Sequence, residues 1–218
     1  MLQGLVLFLI LYLSCTQAAV SLEVGVTRDI GEFVVNHGGR EIAIVRNQDT
    51  EAMVTPDFAR TSRPCPPFCA QPIKAAEEVE TIGEIELIQF MRTQLKDGSG
   101  LLVDARTPDW HDRGTIPGSI NIPYNRLNSA QGADEFTLEE SLAMLGVGGQ
   151  FEAWDFSNAK DVVLWCNGPW CGQSPSAIQG MLRLGYPPEK ISYYRGGLQL
   201  WLLFGLPVVY PDGRLREE

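Results

Sequence analysis

The segment Val162 to Ser174, with the sequence VVLWCNGPWCGQS, combines residue types that suit a cysteine nucleophile. Four apolar or aromatic residues predict a buried strand that ends at Cys166. A glycine-containing loop follows, and we expect a helix to begin at Ser174, with that serine as its N-cap and Pro175 in its first turn. Ligands bind at the carboxyl ends of strands in open α/β sheets, and loop N–H groups beside a helix N-terminus stabilise anions. The sequence therefore predicts a Cys166 thiolate at this edge.

The energy that this prediction requires is modest. A free cysteine thiol has a pKa of about 8.5, so only a few per cent of it is ionised at pH 7. A decrease of about two units corresponds to roughly 2.7 kcal/mol, which several N–H donors can supply. The alternative is that Cys166 is an apolar core residue at a strand end, since buried free cysteines are common. Asn167, Gly168 and Pro169 end the strand at once, which favours a position at the rim and a catalytic role.

A second cysteine, Cys171, lies five positions after Cys166 in the same loop. Two thiols at this spacing can approach within the ~5.5 Å between Cα atoms that a disulfide requires. One hypothesis is that Cys171 resolves an oxidised or sulfur-carrying form of Cys166, which would make the site redox-sensitive. The alternative is that Cys171 is a packing residue.

Another cysteine pair, Cys65 and Cys69, lies in the proline-rich segment 61–72, TSRPCPPFCAQP, which is typical of a rigid loop. Three interpretations are open: a local structural disulfide, a redox relay to the Cys166 loop, and a metal site. The metal site is the weakest, because His37 and His111 are distant in sequence and are expected in solvent-exposed turns. We predict no metal and no cofactor.

Composition excludes several classes of protein. The chain has 218 residues, of which 44% are hydrophobic, and 17 Lys and Arg against 27 Asp and Glu give a net charge of −10. The ordinary apolar content argues against a disordered chain. An acidic chain without a basic stripe repels phosphates, so we expect no nucleic-acid partner. The length suits one full domain with a small appendage.

Residues 1–18 are predicted to be a secretory signal peptide. The apolar run Leu5 to Leu13 is too short to span ~30 Å of hydrocarbon, and small residues before Ala19 suit cleavage. A buried N-terminal helix is the alternative, and a lipid anchor at Cys15 is less favoured because of the residues before it. We therefore expect an exported, periplasmic protein, in which the other four cysteines face an oxidising compartment.

Two further regions follow the signal peptide. Residues 19–80 are predicted as a β-hairpin appendage with the cysteine-rich loop, and residues 81–212 as the main domain. In the appendage, strands at 32–35 and 41–45 flank a turn at 36–39. The main domain alternates helices and strands, which implies a parallel sheet covered on both faces. Its predicted elements are a helix at 84–96 ended by Gly98, a strand at 101–103 running into Asp104, a helix at 137–145 with Thr137 as N-cap and Glu140 completing a capping box, a strand at 162–165, a helix at 174–184 ended by Gly185, a strand at 191–194 and a helix at 198–204.

Four segments in a fixed order resemble motifs of the rhodanese-like domain, in its single-domain sulfurtransferase type. The resemblance covers about residues 81–210, and four ordered matches are more specific than any one of them. The segments are LLVDAR at 101–106, GTIPGSINIP at 114–123, the active-site loop WCNG at 165–168, and GY at 185–186 followed by YRGGLQLW at 194–201.

This resemblance implies an α/β fold with a five-stranded parallel sheet and helices on both faces. It also implies sulfane-sulfur transfer: the Cys166 thiolate attacks the outer sulfur of thiosulfate, a polysulfide or a persulfide, and carries a persulfide to a thiol acceptor. A small sulfur compound and a thiol acceptor, which includes a protein thiol, are thus the expected partners; no oligomeric state is predicted. The implied substrate- and persulfide-binding loop consists of Asn167, Gly168, Pro169, Trp170, Cys171, Gly172, Gln173 and Ser174.

The chain departs from the family pattern at two places. Thr115 stands where the family usually has histidine, at a mostly structural position. The Cys166 loop is about two residues longer than usual and carries no cation, which argues against thiosulfate, a dianion. Arg106 and Arg195 are the candidate anion partners, with surface or intradomain ion pairs as the alternative. Gly172 stands where related phosphatases have arginine, which argues against phosphatase chemistry.

Two other functions stay open, because a shared fold does not distinguish them. One is a thiol–disulfide redox protein that uses Cys166 and Cys171, with Cys65 and Cys69 as a partner pair. The other is a non-catalytic rhodanese module that docks a partner through its acidic surface.

Overall fold

The protein is described by a computed structural model that covers residues 23–54 and 56–215. The predicted signal peptide, its cleavage site and Cys15 lie outside the described residues. Within those residues, no helix is both long and apolar enough to cross a membrane.

Nine β-strands lie in the part of the chain that the structure describes: β1 (Glu32–His37), β2 (Arg40–Val45), β3 (Glu80–Ile82), β4 (Gly100–Asp104), β5 (Ser119–Asn121), β6 (Gly148–Gln150), β7 (Ala153–Asp155), β8 (Asp161–Trp165) and β9 (Ile191–Tyr194). A five-stranded parallel sheet forms the centre of the fold, in the order β3-β9-β8-β4-β5. Two antiparallel hairpins, β1-β2 and β6-β7, lie outside it. Trp165 pairs in register with both Asp104 and Tyr194, so the carboxyl ends of three central strands lie side by side. The sheet confirms the predicted fold.

Helices cover both faces of this sheet, as the alternating sequence pattern predicts. Three short 3₁₀ turns, at Tyr124–Arg126, Ser129–Gln131 and Pro188–Lys190, connect some of the elements. The α-helices are α1 (Pro56–Ala59), α2 (Glu84–Arg92), α3 (Gln94–Asp97), α4 (Pro108–His111), α5 (Glu135–Met144), α6 (Gln173–Leu184) and α7 (Gly197–Leu203).

Each face of the sheet has its own apolar core, because successive side chains of a strand point to opposite faces. On one face, Val163 and Trp165 of β8 pack among residues of α2 and α7. On the other face, Val162 and Leu164 pack among residues of α5 and α6. Both cores extend to the end of β8, so the residue that follows this strand has a rigid support.

The N-terminal hairpin shares a core with the sheet. Val35, Ile42 and Ile44 are buried in the same cluster as the side chains of α2 and α7. Its two-residue turn is Gly38-Gly39, and both glycines have positive φ, as a tight hairpin turn requires. The predicted boundary between residues 80 and 81 falls inside β3, which forms one edge of the central sheet.

Two predicted helix starts were wrong, and one predicted helix is interrupted. α5 begins earlier, because the Asp134 side chain accepts a hydrogen bond from the Thr137 N–H at 2.8 Å and is the N-cap. α6 begins at Gln173 with Gly172 at its N-cap, so Ser174 lies inside the first turn and is buried. The predicted helix at 84–96 is broken at Thr93 into α2 and α3, and Gly98 ends it in the left-handed conformation.

Candidate active site

Cys166 directly follows β8, and hydrogen bonds fix the backbone at Cys166 and at the residue after it. The Leu198 N–H donates to the Cys166 carbonyl and the Gln199 N–H to the Asn167 carbonyl, both at 2.9 Å. Gly197 makes this contact possible: it has a φ of +57°, and a Cβ there would lie 2.3 Å from the Cys166 carbonyl oxygen. The start of α7 therefore holds the first peptide groups of the loop.

The loop from Asn167 to Ser174 folds back over the Cys166 sulfur. The Cys171 N–H donates to the Gly168 carbonyl at 2.9 Å and closes a tight turn. Only 2% of Cys166 is exposed, although it lies at the predicted carboxyl end of its strand. Asn167, Gly168, Cys171 and Ser174 are buried with it, whereas Pro169, Trp170, Gly172 and Gln173 are half-buried.

The surroundings of Cys166 favour its thiolate despite this burial. Burial alone would raise the pKa of the Cys166 thiol. Hydrogen bonds from the Cys171 and Ser174 side chains, and from the backbone N–H groups of Ser174 and Gly168, outweigh burial and lower that pKa to about 7. When protonated, the Cys166 Sγ donates to the Cys171 carbonyl at 3.3 Å. Half of this thiol is thus ionised near neutral pH.

Cys171 is the protonated member of the cysteine pair. Burial and the neighbouring Cys166 sulfur raise its pKa well above the ordinary value. Its Sγ also lies 3.9 Å from Asn167 Nδ2 and 3.7 Å from Gln173 Oε1. Cys171 is therefore a protonated thiol next to the Cys166 sulfur. It does more at this site than fill space in the core.

Two buried hydroxyl groups near the sulfurs, Ser174 Oγ and Tyr193 OH, have no hydrogen-bond partner of normal geometry among the described residues. The Ser174 O–H is therefore free to turn toward the Cys166 thiolate, and the Ser174 hydroxyl is one of the groups that lower the pKa of Cys166. Tyr193 precedes the end of β9, and its pKa is raised by burial and by both cysteine sulfurs. It therefore keeps its proton. Buried hydroxyl groups without partners are rare in proteins, and both of these lie by the reactive sulfur.

Arg106 forms a buried ion pair and supports the loop. Its guanidinium donates to both oxygens of Asp104, at 2.8 and 2.6 Å, and to Asn167 Oδ1 at 3.3 Å. Thr115 Oγ1 donates to the same carboxylate at 2.9 Å. Burial would raise the pKa of Asp104, but Arg106 and His111 together outweigh it and lower that pKa to about 2. Arg106 thus forms an intradomain ion pair, which was the alternative to a role as an anion partner for the substrate.

Arg195, the other candidate anion partner, is committed to main-chain carbonyls. Its Nε donates to the Pro72 carbonyl at 3.2 Å and its Nη2 to the Gln71 carbonyl at 3.0 Å. No hydrogen bond from either arginine to a cysteine sulfur is found among the described residues.

The prediction that His37 and His111 are solvent-exposed was wrong. His37 is half-buried, because its Nδ1 accepts a hydrogen bond from the Gly118 N–H at 3.1 Å. Burial lowers the pKa of His37. The His111 side chain is only 19% exposed and its Nδ1 lies 3.0 Å from Asp104 Oδ2. Among the described residues, no group of three or more His, Cys, Asp or Glu is placed to hold a metal ion.

A family model, the rhodanese-like domain, matches residues 88–203, more than half of the chain. The chain belongs to the rhodanese-like domain family. The matched range contains β4, β8, β9, the Cys166 loop and the start of α7, which are the elements that build the site.

Two curated relatives match about half of this rhodanese-like chain. A sulfurtransferase of Allochromatium vinosum is 26% identical over 113 residues, which cover 52% of this chain and 81% of the relative. The HTH-type transcriptional regulator Rv0324 of Mycobacterium tuberculosis is 28% identical over 111 residues, covering 51% of this chain. That match spans only 38% of the regulator's own length.

Solved structures with likeness to the rhodanese-like region include the human single-domain sulfurtransferase TSTD1. It is 25% identical with a TM-score of 0.38, and the likeness covers 57% of this chain and 96% of that one. The BH2092 protein of Bacillus halodurans is 22% identical with a TM-score of 0.44, covering 62% and 80%.

Residues 56–72, which we name the cover segment, lie against the Cys166 loop but outside the range that the rhodanese-like model matches. Cys65 and Cys69 form a disulfide within this segment, the first of the three interpretations of that pair. The Gln71 N–H donates to the Pro169 carbonyl at 2.9 Å, so the segment is joined directly to the loop. This contact was not predicted from the sequence, although Phe68 and Trp170, two aromatic residues in loops, were a signal for it.

Proposed function

We propose that this rhodanese-like protein is a sulfurtransferase in which Cys166 carries the transferred sulfur atom. Membership of the family and the likeness to the sulfurtransferase of Allochromatium vinosum support a role of the sulfurtransferase kind. The observation that carries the proposal is the surroundings of one buried sulfur, Cys166, whose pKa is lowered to about 7 by four hydrogen-bond donors. A cysteine that only fills a core has no such ring of donors.

The proposed reaction has two steps. In the first, the Cys166 thiolate attacks the outer sulfur of a donor, an S–S bond forms at Cys166, and the bond between that sulfur and the rest of the donor breaks. The leaving group departs with the electron pair as sulfite, a shortened polysulfide or a thiolate. In the second, an acceptor thiolate attacks the outer sulfur and releases Cys166 as a thiolate. No external oxidant or reductant is needed in either step.

The same donors serve both anionic states of Cys166. The thiolate carries its charge on Sγ, and the persulfide carries it on the outer sulfur atom. The N–H groups of Gly168 and Ser174 and the Ser174 hydroxyl surround Sγ. Tyr193 OH, without a partner among the described residues, supplies a further donor in the same region. Preorganised donors of this kind stabilise charge as it develops during reaction.

A persulfide is the proposed donor in preference to thiosulfate. Thiosulfate is a dianion, and its sulfonate end needs a cation that is free to bind it. Arg106 is taken up by Asp104 and Asn167, and Arg195 by two carbonyls of residues 71 and 72. The loop itself supplies only neutral donors. A monoanionic organic persulfide matches such a site better than a dianion does.

The test is the mass of the protein after exposure to donors. The protein is reduced, freed of reductant and incubated with cysteine persulfide, a monoanion, or with thiosulfate. We expect Cys166 to gain the mass of one sulfur atom faster with the persulfide, and to lose it when a thiol acceptor is added. In a background with Cys65→Ser and Cys69→Ser, which removes the other thiols that reduction exposes, Cys166→Ser takes up no sulfur and Cys171→Ser still does. A Cys166 that reacts with iodoacetamide but takes no sulfur from either donor contradicts the proposal and favours a non-catalytic interaction module.

A thiol–disulfide role for Cys166 and Cys171 is the second candidate. It is favoured by one contact, in which the Cys171 thiol donates to the Cys166 sulfur. In that role, oxidation joins the two sulfurs and an external dithiol reduces them again. Reduction of a model disulfide by the protein, without any sulfur adduct, supports this candidate and argues against sulfur transfer.

We further propose that the protein is exported after removal of residues 1–18. The Cys65–Cys69 disulfide supports this, because disulfides persist mainly in oxidising compartments. N-terminal sequencing of the protein from fractionated cells tests it: a start near Ala19 in the periplasmic fraction is expected, and an intact chain in the cytosol contradicts it.

A further inference from the structure

The cover segment packs on the half-buried side of the Cys166 loop through aromatic contacts. The Phe68 ring meets the Trp170 ring edge-on, with centroids 5.5 Å apart. The Arg63 guanidinium lies 4.4 Å from the centre of the Trp170 ring and 5.3 Å from that of Phe68. These three side chains form one stack, which combines aromatic and cation–π contacts. The stack closes over the loop that holds Cys166.

Hydrogen bonds fix the cover segment near both of its ends. Near the first end, Gln199 Nε2 donates to the Phe58 carbonyl at 2.9 Å, and the same Gln199 accepts from Trp170 Nε1 at 2.9 Å. Near the last end, Arg195 donates to the carbonyls of Gln71 and Pro72. The segment is thus joined to α7, to the residue after β9 and to the loop itself.

The Cys65–Cys69 disulfide lies between these two ends and positions Phe68. It closes a five-residue loop, and the Phe68 N–H in that loop donates to the carbonyl of Pro64, the residue just before it, at 3.0 Å. Cys65 is exposed and Cys69 is half-buried, so the bond is open to a reagent from solvent. Gln71, which bonds the active-site loop through its N–H, also donates from its side chain to the Cys69 carbonyl at 3.0 Å. The disulfide is therefore accessible to solvent, and a hydrogen bond connects it to the residue of the cover segment that contacts the active-site loop.

We propose that the Cys65–Cys69 disulfide is a reduction site for a dithiol, and that its reduction releases the cover segment and opens access to Cys166. One thiolate of the dithiol attacks one sulfur of the disulfide, forms a mixed disulfide with that cysteine and releases the other cysteine as a thiolate. The second thiol of the dithiol then attacks the mixed disulfide and releases the remaining cysteine. The dithiol leaves as a disulfide, while Cys65 and Cys69 each gain one electron and one proton. Cys166 does not change its oxidation state.

The physical reason is the constraint that a short cross-link places on the segment. With the disulfide closed, the open states of the cover have few conformations, so the closed state is favoured. With the disulfide reduced, residues 64–70 gain conformational freedom and the stack of Phe68 on Trp170 opens more often. The effect on catalysis rests on the proposed function, whereas the effect on access to Cys166 does not.

The test compares the rate at which iodoacetamide modifies Cys166 before and after reduction. The oxidised protein and a sample treated with dithiothreitol and then freed of it are alkylated, digested and mapped by mass spectrometry. We expect alkylation of Cys166 to be about tenfold faster after reduction. Equal rates in the two samples, with Cys65 and Cys69 alkylated only in the reduced one, would overturn the proposal.

Two variants distinguish an effect of the cover segment on the alkylation rate from an effect of general loss of structure. Cys65→Ser combined with Cys69→Ser should give the fast rate without any reductant. Phe68→Ala keeps the disulfide and should also raise the rate, because the contact with Trp170 is lost. Phe151→Ala is the matched control, since Phe151 makes a similar edge-on contact with Trp154 in the β6-β7 hairpin. A Phe68→Ala rate that equals the control would overturn the proposal even if the double variant does not fold.

Failure of this proposal differs from failure of the proposed function. Faster alkylation without any sulfur adduct supports the reducible cover and argues against sulfur transfer. A sulfur adduct that forms equally fast in oxidised and reduced protein supports sulfur transfer and argues against the cover.

Discussion

The Arg106 guanidinium donates to the Asn167 side chain at 3.3 Å, which joins a fully buried ion pair to the first residue of the Cys166 loop. The arginine lies two residues after β4, and the asparagine lies two residues after β8, the neighbouring strand. Asn167 in turn contacts the Cys171 sulfur. Loop geometry around Cys166 thus depends on a charge pair that touches no cysteine.

Replacement of Arg106 should lower stability strongly. Arg106→Leu leaves the Asp104 carboxylate buried without its cation, which costs about 3–5 kcal/mol. Arg106→Lys keeps the charge but not the paired geometry, so its cost should be smaller. Denaturant unfolding measures both. Equal stabilities of Arg106→Leu and the unchanged protein would mean that the pair does not support the fold.

Removal of the Ser174 hydroxyl should raise the pKa of Cys166. The Ser174 O–H is a donor to the thiolate, and one lost charge-assisted hydrogen bond corresponds to roughly one pKa unit. The pH dependence of thiolate ultraviolet absorbance in Ser174→Ala measures this. Ser141→Ala is the control, because Ser141 is equally buried but donates to the Thr137 carbonyl within α5. A shift of the same size in both variants would contradict the assignment.

Tyr193→Phe should reduce sulfur transfer without a loss of stability. The Tyr193 hydroxyl has no hydrogen-bond partner among the described residues, so its removal leaves no group unpaired. Tyr186→Phe provides the comparison, since the Tyr186 hydroxyl donates to the Lys160 carbonyl at 2.6 Å and its loss should cost about 1 kcal/mol. Unfolding curves and single-turnover transfer rates measure the two effects. A Tyr193→Phe protein that is less stable than Tyr186→Phe would be the contrary result.

The contribution of the Asp104 carboxylate to the free energy of unfolding should be lost in acid. The pKa of its carboxyl is lowered to about 2 in the folded protein, below the value of about 3.9 in the unfolded chain. A lowered carboxyl pKa contributes stability that is complete above about pH 4 and declines as the pH falls toward 2. The contribution is of the order of 2 kcal/mol. Unfolding free energies from pH 5 to 2 should therefore fall less steeply in Asp104→Asn than in the unchanged protein.

The sequence predicted the central strands closely, for a physical reason. The run Val162 to Trp165 is apolar on both faces, which is typical of a parallel strand covered by helices on both sides. Helix starts were less well predicted, because Asp134 and Thr137 are both good N-caps and sequence alone does not choose between them.

The candidate site was predicted in part. Cys166 and its loop follow from a strand, a turn and a helix, which are local features. The hydroxyl of Tyr193 and the cover segment reach the loop through contacts between residues far apart in sequence, and no local pattern encodes them. Ser174 was predicted both as a helix cap and as part of the binding loop; the cap prediction was wrong, and its hydroxyl is among the groups that lower the pKa of Cys166.

Titration of Cys166 itself tests the central claim most directly. The reduced protein is alkylated with iodoacetamide across a range of pH, and the rate at Cys166 is followed by peptide mass. We predict that the rate rises with a midpoint near pH 7, as the lowered pKa of this thiol requires. A midpoint at or above about 8.5, the value of an ordinary free cysteine, would contradict the account.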